Sequence, residues 1–219
     1  MRTTRTLALI TTGLVAAGTL SACGGGPDAL DQAGTKEVLL SSEDFPLDGY
    51  EQGTVKEGSD NDENIDTEGL KNSFSAFGEL NEECKTAMDE MSELKPSDYL
   101  EAQSSADYTG GENKTVSLMV GGTKEDAQKL IDAFKKLGAE CDELKQEQQG
   151  VEISVKFDEV DEDNFAGSTI TMEAAGEKQE LAMGGKTVGD NLVMVMTQGA
   201  SVDDAQKVVE AQAKAIEDK

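Results

Sequence analysis

Leu192-Val193-Met194-Val195-Met196 is an unbroken apolar run near the C-terminus, and both of its faces are greasy. A strand without a wet side belongs in the middle of a sheet. Gly189-Asp190 supplies a turn ahead of it. Behind it Ser201 is placed to cap a closing helix whose Val202, Ala205, Val208, Val209 and Ile216 share one face.

Moving upstream, Glu177 to Met183 and Phe165 to Ala174 read as antiparallel strands joined through Gly176, with Gly184-Gly185 as a further turn. Val151, Ile153, Val155 and Phe157 alternate with Glu152, Ser154 and Lys156, a strand with one dry face. Asp158 to Asn164 is an acidic turn. Tyr99 to Tyr108 and Lys114 to Val120 form a hairpin about residues 109–113. Two amphipathic helices flank it. Leu80, Cys84, Ala87, Met88, Met91 and Leu94 make one stripe. Ala127, Leu130, Ile131, Phe134 and Leu137 make the other, started by Thr123 with Asp126 and ended by Gly138. Val38-Leu39-Leu40 enters a short helical turn and Gly49 to Val55 a first strand. The sum is an α+β fold, a curved, mainly antiparallel sheet with helices packed on one face.

The chain of 219 residues opens differently. Arg2 and Arg5 precede an uncharged stretch from Leu7 to Leu20, which is too short to span a bilayer and is read as a signal peptide over residues 1–22. Leu20-Ser21-Ala22-Cys23 resembles the lipobox of bacterial lipoproteins. That resemblance implies a diacylglycerol on Cys23, cleavage before it, and a lipid-anchored location at the cell membrane, facing the extracytoplasmic side. The alternative is an ordinary secretory peptide with a chance cysteine. Residues 23–35, rich in glycine and other small residues, are expected to be a flexible tether of ~18 Å reach. Residues 36–219 would be the folded domain.

All 45 acidic residues lie beyond Cys23, while Arg2 and Arg5 precede it, leaving the mature part with a formal charge of −28. Nucleic acid is excluded as a partner by repulsion. The mature part has no His, Arg or Trp. It therefore lacks the usual general base and the usual clamp for phosphate or carboxylate. Ser92-Glu93-Leu94-Lys95 matches S-x-x-K, but Lys186-Thr187 is followed by Val188 where a glycine would be needed. It reads as a helix end stopped by Pro96. No catalytic residue, cofactor or metal site is assigned. In the acidic stretch 57–68, Asp60, Asp62, Asn64 and Asp66 alternate as calcium ligands do, but Ile65 and Lys71 stand where the turn glycine and closing glutamate belong. That stretch is read as a solvated loop.

Cys84 and Cys141 are the two remaining cysteines of an exported domain and are expected to form a disulfide, with two separate buried thiols as the alternative. The spacing is not that of a redox pair.

The arrangement resembles the extracellular sensor domain of PknH-type kinases and the free lipoproteins that share it in actinobacterial envelopes. The local matches are Ala76 to Met91 with Cys84, Gln128 to Cys141, and Gly189 to Ile216. Family members commonly carry two disulfides, and this chain can form only one. The resemblance implies a ligand cleft between sheet and helices and no catalytic residues to carry over. Met88, Met91, Tyr99, Tyr108, Met119, Met172, Met183, Met194 and Met196 are the candidates to line such a cleft, a soft wall suited to acyl surfaces. As core residues they would only fill space. Two functions follow: a tethered binding module for a small apolar envelope ligand, or an accessory protein docking onto a membrane-bound complex.

Overall fold

The computed structural model describes residues 26–58, 72, 74, 79–111, 114–148, 150–162 and 164–219. Its centre is the apolar run, which lies in strand β9 (Asn191–Gln198) between β4 (Thr115–Thr123) and β8 (Glu177–Val188). Outward from β4 come β3 (Leu100–Thr109) and, on its far edge, the short strands β1 (Glu51–Gln52) and β2 (Lys56–Glu57). Outward from β8 come β7 (Phe165–Ala174), β6 (Val151–Glu162) and β5 (Leu144–Gln148). Every pairing in this nine-stranded sheet is antiparallel.

Five helices are described: α1 (Gln32–Val38), α2 (Glu82–Glu93), α3 (Pro96–Tyr99), α4 (Gln128–Glu140) and α5 (Val202–Glu217). The α+β class and the antiparallel sheet are as expected, but the helices cover both faces. Successive side chains of a strand point to opposite sides. In β9, Val193 and Val195 join α5, the segment after α1, and Val116, Leu118 and Val120 of β4 in one core. Leu192 and Met194 turn the other way, into a second core with Met88 and Met91 of α2 and Leu130, Ile131 and Leu137 of α4. A strand that is apolar on both sides needs cover on both.

Two expected turns lie inside strands. Gly184 and Gly185 continue β8, pairing with Gly167 and Met194. They are glycines because the neighbouring strands come too close for side chains. A Cβ on Gly184 would stand 2.2 Å from the Ala166 carbonyl oxygen, and one on Gly185 would stand 1.9 Å from that of Val193. Residues 158–162 likewise extend β6. The first strand is divided into β1 and β2, and Tyr99 ends α3 where a strand start was expected. Helix α4 takes no cap from Thr123, which ends β4; the position before α4 is Ala127, without a side-chain cap.

The expected tether is also corrected. From Gly26 onward the chain is a strap held against the sheet. The Leu30 N–H donates to Asn191 Oδ1 at 2.8 Å, Asn191 Nδ2 donates to the Asp28 carbonyl at 2.9 Å, and the Asp190 N–H donates to the Pro27 carbonyl at 2.9 Å. Gly122 and Gly189 leave room, since Cβ atoms there would meet the Leu30 and Pro27 carbonyl oxygens at 2.0 and 2.3 Å. Helix α1, capped by Asp31, then crosses the boundary placed at residue 36. Buried Gln212 of α5 holds the segment after α1, accepting from the Leu40 N–H at 3.1 Å and donating to the Val38 carbonyl at 2.8 Å. Composition alone suggested flexibility; paired backbone groups removed it. Residues 1–25, with the signal segment and Cys23, lie outside the described residues, as does the acidic stretch apart from Glu57 and Gly58.

Candidate functional site

The methionines are sorted by the sheet. Of the eight in the chain, the seven beyond Met1 all belong to the core between the sheet and helices α2 and α4. Met88, Met91, Met183 and Met194 are buried there, and Met119, Met172, Met196 and Tyr99 pack against them half-buried. Strand register explains the grouping. Met119 pairs with Met194 across β4 and β9, and Met196 pairs with Met183 across β9 and β8, so these four side chains share one face. Helix α2 adds Met88 and Met91 by their spacing of three.

Within the same face lies one polar oddity. Ser168 pairs with Met183, is fully buried, and its Oγ finds no hydrogen-bond partner among the described residues. Buried hydroxyls are nearly always paired, which makes this one an exception.

Tyr108 does not belong with the other candidates. It is buried on the opposite face, stacked on Phe45 with ring centroids 4.0 Å apart, and its hydroxyl donates to the Leu40 carbonyl. Burial pushes its pKa up to about 12, against the lowering effect of the hydrogen bond from Gln52. The reason for the error is register: Tyr108 sits opposite Val116, whose side chain points away from the methionines. The described structure shows the other eight candidates as a packed layer with half-buried edges, not as an open cleft.

Cys84 and Cys141 are joined, tying the first turn of α2 to the end of α4. Asn81, which caps α2, also donates to the Glu140 carbonyl at 3.0 Å beside this bridge. Ser92 lies on the exposed last turn of α2 and donates to the Asp89 carbonyl, with no role in chemistry implied. No helix among the described residues is long and apolar enough to cross a membrane, and no group of three or more His, Cys, Asp or Glu there could hold a metal ion.

The sequence reading missed a concavity elsewhere on the domain. A broad, solvent-open groove of about 1560 Å³ runs beside the strap, lined by Pro27, Gly34, Val188, Gly189, Ile216 and Lys219 among others. Of its lining only Gly189 stood out in the sequence, as a turn residue, which gave no sign of a groove.

The chain superposes on the crystal structure of the extracellular domain of PknH from Mycobacterium tuberculosis with a TM-score of 0.52, covering 89% of this chain and 100% of that one. The fold is that of the PknH extracellular domain. Sequence identity to PknH is 12%, so what the two share is architecture. No protein-family model and no curated protein sequence matches the chain.

Proposed function

We propose that the protein is a lipid-anchored, extracytoplasmic binding module that acts without turnover and takes an apolar envelope ligand against its methionine face. The observation that carries this is the gathering of all seven mature methionines on one side of the sheet, with Met119, Met172 and Met196 at its half-buried edge. Flexible thioethers re-pack around apolar partners at little cost. The PknH-like fold supports the reading, because that domain is extracellular in its own protein. The lipobox at Leu20 to Cys23 supports the anchor. A mature chain without His or Arg has few means of stabilising a developing negative charge, which supports binding over catalysis.

The test is retention of lipid by residues 24–219, titrated with envelope lipid extracts at low and high salt. Apolar burial contributes ~25 cal/mol per Å² and is little affected by salt, so binding should persist at both and weaken in Met119→Gln/Met196→Gln. Salt-sensitive association with a membrane protein, without lipid at either salt, would instead support docking onto an envelope complex. For the anchor, Cys23→Ala should leave the membrane fraction or accumulate as precursor.

A further inference from the structure

The strap decides which end of the domain lies next to the membrane, an inference that rests on lipidation of Cys23. Gly26 is the first described residue, and a Cβ on it would stand 2.6 Å from the Gly189 Cα. The lipobox cysteine is three residues earlier, so at most ~11 Å of chain separates its Cα from that contact. The strap does not swing, because Asn191 holds it at Asp28 and Leu30, and α1 continues it with Gln32 Nε2 donating to the Gln103 carbonyl at 2.8 Å. A lipid on Cys23 would thus be fastened beside the β8–β9 turn.

That end carries three lysines. Thr123 donates its N–H to the Asp190 carbonyl, bringing the β4–α4 connection alongside, and Lys124 reaches the Ser97 carbonyl of α3 at 2.7 Å. Lys129 stands 6.0 Å over the Tyr99 ring, and Lys186 donates to Asn164 Oδ1 at 3.3 Å. These three ammonium groups are satisfied by a carbonyl, a ring and an amide, which leaves them able to meet lipid phosphates. Asp28, Asp31, Glu125, Asp126, Asp190 and Glu217 share the end, so its field is net negative and any attraction would be local pairing of single lysines. At the other end of the twelve-residue β8, ~36 Å away at strand rise, Glu143, Glu152 and Glu173 gather around the β5–β6 and β7–β8 turns, with Lys145 paired to Glu143 at 3.2 Å. Carboxylates held that far from an anionic surface are beyond several Debye lengths of ~10 Å and escape its repulsion.

We infer that the domain stands on the phospholipid surface on its β8–β9 turn, held in one orientation by the strap, with the β5–β6 and β7–β8 turns pointing away. The groove beside the strap then opens at the membrane side.

The chain has no tryptophan, so single-Trp reporters have no background. Glu125→Trp and Glu177→Trp, each in the full lipidated chain, are reconstituted in phosphatidylglycerol-containing vesicles carrying a spin label at headgroup depth. Quenching should be several-fold stronger at position 125 than at 177. Inserting ten Gly/Ser residues between Gly25 and Gly26 should abolish the difference. Equal quenching at both positions in chains that float with the vesicles overturns the orientation and leaves the anchor standing, and a difference that survives the insertion overturns the strap as its cause. Chains that fail to float defeat the anchor itself, and the inference with it.

Discussion

Asn191 and Leu30 are 161 residues apart in the chain, and the Leu30 N–H donates to the Asn191 side-chain oxygen at 2.8 Å. The same amide donates to the Asp28 and Val188 carbonyls, so one fully buried side chain closes the mouth of the central strand and fastens the strap. Asn191→Ala leaves a donor and acceptors without partners, at ~1–3 kcal/mol for each group that water does not reach. The expected outcome is a loss of about 2 to 4 kcal/mol in urea unfolding, with earlier proteolytic cleavage near residue 30. Gly122→Val should release the strap as well, since its Cβ would collide with the Leu30 carbonyl.

The disulfide joins positions 57 residues apart. In the chain-entropy account a loop of that length contributes ~4 kcal/mol. Cys84→Ala/Cys141→Ala should lower unfolding free energy by that order. Thiol labelling of unfolded, unreduced wild-type protein should modify neither cysteine.

Tyr108 makes the domain alkali-sensitive. Its pKa of about 12 in the folded state exceeds the ordinary value of 10.0, so the stabilisation is fully present below pH 10 and is lost as pH rises toward 12. Two pKa units correspond to ~3 kcal/mol. Tyr108→Phe should flatten this limb of a stability-versus-pH curve, and phenolate absorbance should show one tyrosine ionising only on unfolding.

Asp204 acts at the other end of the pH scale. Burial works to raise its pKa, but hydrogen bonds from Lys207 and from Ser201, with which it forms a capping box, outweigh that and leave it lowered. The stabilisation is present above the unfolded-state value and is lost as pH falls through the folded one. Asp204→Asn should cost ~1 kcal/mol at neutral pH and reduce the acid dependence, read from thermal melts at pH 7 and pH 3.

Much of this was written locally. The closing helix, its Ser201 cap and the stripe through Val208, Val209 and Ile216 depend on spacing within one turn of helix, and all appear as read. Strand β5 was not legible, because Leu144 is the only apolar residue in it and its place is set by pairing with β6. Glycine was ambiguous for a physical reason. Gly176 and Gly189 do turn the chain with positive φ, whereas Gly184 and Gly185 sit in a strand because neighbouring backbones press on them. Composition does not separate the two uses.

The candidate site divides along the same line. Residue type alone picked out the methionines, and spacing placed Met88 and Met91 on one helical face. That Met119, Met194, Met196 and Met183 lie side by side while Tyr108 lies behind them follows from the register of β3, β4, β9 and β8. By itself the sequence determined the α+β class, the three long helices, the central strand and the charge, because each depends on residues near one another in the chain. Only tertiary structure decided that helices cover both faces, that the supposed tether is a clamped strap, and which candidates share a core. Each of those depends on backbone groups meeting across as many as 174 positions, as Val38 and Gln212 do.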